Sequence, residues 1–263
     1  MQTILNETTY AEEILKNGEI GKKPSSTLFL LAKYFLQKKE LEQTETETAL
    51  NSFMENNYPG YICALWDQTI HRLVKKAATC SLREIDFIAI TGHELECIHL
   101  LKNPKYERLA FVLLCHAKLY DLVSETNNSW ANVRIPDLFR LARVSVRHRD
   151  DKFLYLNDIE TNPVLGEEAL ISFSRKNDNL NIRVNFISTT GTPVLKINDL
   201  REPGYEYMNF RKEGNFIRCI KCDRLVRIKN KHDFSTKYCS SCKKERELEL
   251  ARQRVRRHRM SPL

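Results

Sequence analysis

The sequence predicts a mainly α-helical chain with small β elements, an α+β fold in several parts. Three observations lead there. Apolar residues recur at helical spacing through most of the chain up to residue 159, two runs that alternate with period two follow a succession of helices, and four cysteines near the C-terminus form two C-x-x-C pairs. With 263 residues, 42% hydrophobic and 29% charged, the chain has room for two domains and a small appended module. The reading divides it into a flexible N-terminal arm over 1–24, a helical domain over 25–84, a second domain over 85–210 and a cysteine module over 211–263.

Taken in order, residues 1–20 are weakly patterned and run into Gly21-Lys22-Lys23-Pro24, which reads as an arm outside the core. Ser25, Ser26 and Thr27 offer a helix cap ahead of Leu28, Leu30, Leu31, Tyr34 and Phe35. A second helix is predicted over Glu45 to Glu55, stopped by Asn56-Asn57-Tyr58-Pro59-Gly60, and a third over Ala64 to Ala78 with Leu65, Ile70, Leu73 and Val74 as its stripe. Ile85 to Thr91 reads as a strand, His93 to Leu101 as a helix, and Lys105 to Val123 as a central helix with apolar residues on nearly every face.

A short helix over Ile135 to Ala142 comes next. A longer one is predicted from Arg147 to Ile159, capped by Ser145, with Phe153, Leu154, Leu156 and Ile159 facing inward. Ala169 to Arg175 and Asn181 to Ile187 then alternate around Lys176-Asn177-Asp178-Asn179 as a hairpin. Helix, short helix, helix, hairpin is the order of a winged helix-turn-helix.

In that motif the second helix enters the major groove and its first residues reach base edges. Here they are Arg147, His148, Arg149 and Lys152, and Arg175, Lys176 and Arg183 on or near the hairpin would form the wing on the DNA backbone or minor groove. Asp150 and Asp151 count against this, because carboxylates repel phosphates. The same fold also serves as a protein-docking domain, which stays open.

Cys219-x-x-Cys222 and Cys239-x-x-Cys242, 16 residues apart, can supply the four thiolates of a closed tetrahedral Zn2+ shell. Leu225 to Ile228 and Phe234 to Tyr238 are expected to pair as a hairpin, and a helix from Lys243 to Arg259 carries Leu248, Ala251 and Val255 on one narrow face. A knuckle, a hairpin and a helix starting at the second cysteine pair describe a treble clef. Glu245, Glu247 and Glu249 occupy the first half of that helix and Arg252, Arg254, Arg256, Arg257 and Arg259 the last, as the helix dipole favours.

Residues 211–263 hold 17 Lys and Arg against 6 Asp and Glu, a balance of +11, which leaves 25 against 28, or −3, in the first 210. A basic module on a slightly acidic body is the electrostatic footprint of a protein that touches phosphate backbones.

Catalysis finds little footing. Four sulfurs close the metal and leave no position for a reacting water, His232 and Asp233 are the nearby acid–base candidates, and no glycine-rich phosphate loop occurs. His93-Glu94-Leu-Glu-Cys97 resembles a zinc-protease helix but lacks the second histidine. Cys97 and Cys115 read better as small buried hydrophobes. Scattered Cys63, Cys80, Cys97 and Cys115 form no disulfide framework. No run approaches the roughly 18 apolar residues of a membrane span, and the start, MQTILNETTYAEEIL, lacks a secretion signal, so a cytoplasmic protein with no membrane partner is expected.

At Phe111 to Tyr120, Leu138 to Val146, Asn179 to Val184 and the two C-x-x-C pairs, the chain resembles a set of proteins carried by phages and mobile elements of Gram-positive bacteria, over residues 25 to 259. That resemblance implies DNA work in a bacterial or phage-infected cytoplasm, in replication initiation or transcriptional control, and supplies no catalytic residues. The resulting expectation is a non-enzymatic DNA-binding protein with one structural Zn2+, acting on double-stranded DNA alongside replication or transcription proteins. Two rivals stand beside it: a protein-interaction adaptor or anti-defence factor docking through the same surfaces, and RNA binding by the zinc module.

Overall fold

The computed structural model describes residues 4–21, 23–125, 127–158, 160, 168–176, 179–229 and 236–260, in a mixed α/β arrangement that is mostly helical with small antiparallel sheets. The chain folds as two compact units, Met1–Asp86 and Phe87–Leu263.

Among the described residues, the first unit has four helices: α1 (Glu7–Asn17), α2 (Pro24–Lys38), α3 (Gln43–Asn57) and α4 (Cys63–Ala77). Ala11, Ile14, Leu28, Leu31, Leu50, Met54, Ile70 and Val74 form their core. Pro24 opens α2 as its first helical residue, the position where the missing proline N–H costs nothing, in place of the expected serine cap. Leu65, expected on the inward stripe of α4, is 73% exposed.

The arm expected over residues 1–24 is a correction. Asn6 caps α1 by accepting from the Thr9 N–H at 3.0 Å, and Gly18 ends the helix in the left-handed conformation (φ 65°). Two things hold α1 down. Ala11 and Ile14, three residues apart, are buried, and the Glu7 carboxylate forms a buried ion pair with Lys33 on α2 while accepting the Arg83 N–H at 3.0 Å. The buried glutamate made this segment look solvent-facing in the sequence.

The second unit is organised on α6 (Pro104–Ser124). Leu109, Ala110, Phe111, Val112, Leu113, Leu114 and Ala117 on this helix are buried without exposure, as the all-round apolar pattern predicts. Before it come β1 (Ile88–Thr91) and α5 (Gly92–His99); after it β2 (Trp130–Ala131), α7 (Ile135–Leu141), α8 (Arg149–Asn157), β3 (Ile171–Lys176), β4 (Asn179–Val184), β5 (Pro193–Ile197) and α9 (Pro203–Phe210). β1 pairs antiparallel with β5, setting Ile88 against Ile197, and β2, β4 and β3 form a sheet in that order with Ala131 and Phe173 both opposite Ile182. Phe139, Phe153 and Phe173 touch edge to face at 5.6 and 6.1 Å, locking α7, α8 and the sheet together.

Further differences from the sequence reading concern α8 and the cysteine module. His148 is left-handed (φ 52°), so α8 begins at Arg149, and Ser145 accepts the Arg147 N–H at 3.3 Å in the preceding turn instead of capping the helix. Phe153 and Leu156 are buried as expected. Leu154 is 63% exposed, since it points away from the face that 153 and 156 share, and Ile159 lies outside the described residues. Leu225–Ile228 is β7 and pairs with the upstream β6 (Asn215–Arg218); the expected return strand over Phe234 to Tyr238 lies partly outside the described residues, and 236–238 form no strand. β6, β7 and the last helix, α10 (Ser240–Met260), share the unit of α6.

His116 on α6 is buried, its Nε2 without a hydrogen-bond partner among the described residues, and burial holds its pKa down at about 4. An unfolded histidine titrates near 6.5, so the unfolded chain takes up the proton first and stability is lost as pH falls from 6.5 towards 4. Between pH 7 and pH 4.5 that loss is about 2 to 3 kcal/mol. Urea unfolding of the second unit at both pH values should show a smaller acid loss, by this amount, in His116→Leu than in the parent. Equal acid losses would remove His116 from the account.

Candidate metal centre and basic surfaces

The first cysteine pair sits in the tight turn joining β6 to β7. Arg218 pairs with Leu225 across the hairpin, the Cys219 N–H donates to the Arg224 carbonyl at 2.9 Å, and the Asp223 N–H returns to the Cys219 carbonyl at 2.8 Å, with Asp223 left-handed (φ 55°). This bend turns both sulfurs of Cys219 and Cys222 to one side. The second pair is carried by a helix end: Cys239 immediately precedes α10, and Cys242 lies in its first turn. The Ile220 N–H, donating to the Lys237 carbonyl at 3.1 Å, brings the two pairs together.

All four sulfurs lie within 4.8 Å of one another, and Cys222 Sγ is 3.7 Å from Cys239 Sγ. Sulfurs at the corners of a tetrahedron around an ion with metal–sulfur bonds of about 2.3 Å stand about 3.8 Å apart, so the four sulfurs could hold a single metal ion. Cys219, Cys239 and Cys242 are buried. Burial raises the Cys219 thiol, but backbone N–H groups of residues 239, 222 and 221 outweigh it and bring the net shift down. Cys239 is likewise raised by burial, yet the Ser241 hydroxyl at 3.2 Å and neighbouring donors bring it to about 6. Burial and the adjacent sulfurs push Cys222 and Cys242 up. Four clustered sulfurs cannot all ionise on their own, and a cation is what would let them.

No second metal-binding group of three or more His, Cys, Asp or Glu forms among the described residues. Glu94, from the zinc-protease-like segment, has a structural use: it caps α5 by accepting the Thr91 N–H at 2.7 Å and pairs with Lys118. His93 stands 3.7 Å from the Cys97 sulfur, and His232 and Asp233 lie outside the described residues.

Arg147, His148 and Arg149 are exposed, the first two in the turn before α8 and the third at its start. Asp150 pairs with Arg149 at 3.1 Å and Asp151 lies 3.6 Å from His148, so part of the positive charge here is answered locally. Lys152 is folded back onto the turn, donating to the Arg147 and His148 carbonyls. Arg183 is exposed on β4 opposite Trp130 on β2 and Ser172 on β3. Arg175 and Lys176 stand at the end of β3; their side chains lie outside what the structure describes.

Along α10, residues 243–255 are exposed, Arg252 and Arg254 with them, and so are Leu248, Ala251 and Val255. Arg256, Arg257 and Arg259 continue the same helix, their side chains likewise outside the description. Lys221 in the knuckle pairs with Glu245 at 3.0 Å, and Arg246 stacks over Tyr238 at 4.9 Å, fixing the helix start to the cysteine site.

The sequence reading passed over the charged residues that bind the knuckle to the rest of the unit. Arg201 donates to the Cys222 carbonyl at 2.6 Å while Asp199 clamps it from behind at 2.7 Å, and Arg218 meets Glu206 on α9 at 3.1 Å. Cys222 is 21 residues from Arg201 and Glu206 is 12 from Arg218, with no periodic relation, so no local signal marks either contact. The position of Arg218 beside Cys219 was the one available hint.

No protein-family model, curated protein or solved structure matches this chain. No described helix is long and apolar enough to cross a membrane.

Proposed function

We propose that the protein is a non-enzymatic, zinc-containing DNA-binding protein of the bacterial cytoplasm, serving replication initiation or transcriptional control of a phage or mobile element. The observation that carries this reading is connectivity. From α6 to β4 the order is helix, strand, helix, helix and a two-stranded hairpin, and the lone strand β2 adds to the hairpin on the β4 side, giving β2-β4-β3. That is the strand order of a winged helix-turn-helix, with α7 and α8 as its helix pair, β3–β4 as its wing, and Arg147, His148 and Arg149 at the end that would meet base edges. The two cysteine pairs, one in a knuckle and one in the first turn of α10, fit a treble clef, and a closed four-thiolate shell suits structural zinc. Its arginine-rich helix would then lie along phosphates. Four protein ligands leave no open metal position, which argues against hydrolysis.

Asp150 and Asp151 limit phosphate attraction at the start of α8, though a carboxylate there can accept from the cytosine amino group. The adaptor reading draws on a specific observation: Val146 and Leu154 are 51% and 63% exposed beside those charges. Such residues suit a protein partner as well as thymine methyl groups.

Salt dependence separates the two. With about 5 to 8 phosphate contacts, the log–log slope of duplex affinity against salt is expected near −4.5 to −7. Exchanging Arg252, Arg254, Arg256, Arg257 and Arg259 for glutamine in the full chain should flatten the slope by about 2 to 4 and weaken binding on every sequence alike. An unchanged slope and affinity would remove the backbone-clamp role of α10; no duplex binding by the parent protein would favour the adaptor.

A further inference from the structure

The turn ahead of α8 and the cysteine knuckle are joined through a single carboxylate. Glu202 opens α9, its carbonyl accepting the Tyr205 and Glu206 N–H groups at 2.9 and 3.1 Å, so its backbone is held in place. Its side chain, 10% exposed, forms an ion pair with Arg143 on one side and stands 3.9 Å from the Arg224 guanidinium on the other. Arg143 belongs to the turn between α7 and α8. Arg224 belongs to the knuckle, and its carbonyl receives the Cys219 N–H.

Two further features tie the turn to α9. Arg143 is left-handed (φ 56°), a conformation that costs a non-glycine residue about 1 kcal/mol or more, and its guanidinium also stacks over Tyr205 at 4.4 Å. Gly204 sits directly against the end of α7, where an added Cβ would stand 2.4 Å from the Leu141 carbonyl oxygen and 3.1 Å from the Ala142 carbonyl carbon. Backbone meets backbone there, with no space for sliding. On the knuckle side, the Arg201 contact to the Cys222 carbonyl repeats the anchoring one residue before Glu202.

Resting on the reading of α8 as the base-reading helix, we propose that Glu202, Arg143 and Arg224 are positioning residues through which metal occupancy of the four-cysteine site fixes the turn ahead of α8, making sequence-specific DNA binding metal-dependent. A bound ion would tie the Cys219–Cys222 turn to Cys239 and Cys242 and so hold the knuckle closed. Without that tie the bend at Cys219 would open, Arg224 and Arg201 would withdraw, and the joint to Arg143 would loosen.

The test uses hydrogen exchange on the full chain and needs no DNA. Removing the metal with a chelator under reducing conditions should lower amide protection over residues 142–156 by about tenfold or more, with recovery on adding Zn2+ and no change in α1–α4. Protection over 142–156 that survives metal removal while residues 215–229 open would overturn the proposal. Should α6 open as well, reciprocity decides: if metal stabilises the turn, the turn must stabilise metal by the same factor. Arg143→Gln, remote from the sulfurs, should then weaken Zn2+ binding in competition with a chromophoric chelator by about three- to tenfold. Unchanged zinc affinity in both Arg143→Gln and Glu202→Gln would contradict the coupling. If exchange shows the coupling but the parent protein binds no duplex, the DNA reading fails and the joint remains.

Discussion

Cys219→Ser is expected to abolish metal binding and open the knuckle, with one zinc per chain falling to a small fraction of that. Structural four-thiolate sites hold zinc with apparent free energies on the order of 10 kcal/mol or more, and a hydroxyl in place of a thiolate removes a quarter of the shell. β6 and β7 are four residues each, too short to persist alone, so the turn from 219 to 224 should open to protease. Loss should reach α10 too, because its start is tied to the site by Cys242 and by the Lys221–Glu245 pair. The first unit has its own core of Leu28, Leu31, Leu50, Met54 and Val74 and should keep its unfolding transition. Metal analysis of parent and variant, with limited proteolysis, checks this. A parent protein with no zinc when purified without chelator, or a variant that retains it, would refute the metal assignment, and iron in its place would correct the identity.

Lys118→Met is expected to destabilise the second unit by about 3 to 5 kcal/mol. Glu94 has no exposed surface, and its carboxylate accepts the Thr91 N–H at 2.7 Å, the Ser188 N–H at 2.9 Å and the Lys118 ammonium at 2.7 Å. Lys118 also donates to the Ala89 carbonyl at 2.6 Å, so one ion pair ties β1, α5, α6 and the chain after β4. Methionine keeps the volume and leaves the carboxylate buried without its cation, which is the costly way to break such a pair. Lys118→Met combined with Glu94→Gln should recover part of the loss, because the orphaned charge is gone. Urea midpoints of the two variants measure this; a loss under about 1 kcal/mol would mean that the charge reaches water in the folded state.

How far the sequence carried these conclusions depends on how local each signal is. The central helix, apolar on nearly every face from Leu109 to Ala117, and the alternation around residues 176–179 were legible because each is a continuous local pattern. The cysteine cluster was legible because two C-x-x-C turns have one chemical use in common. α1 was missed because Glu7, a charged residue at its start, is buried by a partner 26 positions away. β1–β5 pairing joins Ile88 to Ile197, and the partner of Leu225 turned out to be Arg218, upstream across the cysteine turn and not downstream. The first is a long-range pairing with no periodic trace. The second depended on knowing that the knuckle is itself the hairpin turn. The Arg143–Glu202–Arg224 joint combines both difficulties, since charged side chains on three separated segments look like ordinary solvated residues until the fold brings them together.

The central claim is that the start of α8 reads DNA, and a paired titration tests it most directly. Duplex selected from a random pool and a scrambled duplex of equal length would be titrated with the parent, Arg147→Ala and Arg149→Ala, with circular dichroism to verify that Phe153 and Leu156 still hold α8 in place. Each substitution should cost about 1 to 3 kcal/mol on the selected site and little on the scrambled one, because an arginine contact to a base edge is lost while the α10 backbone contacts remain. Variants that both keep the parent's full ratio of selected to scrambled affinity would contradict the claim and make protein docking through Val146, Leu154 and the adjacent charges the better account of this surface.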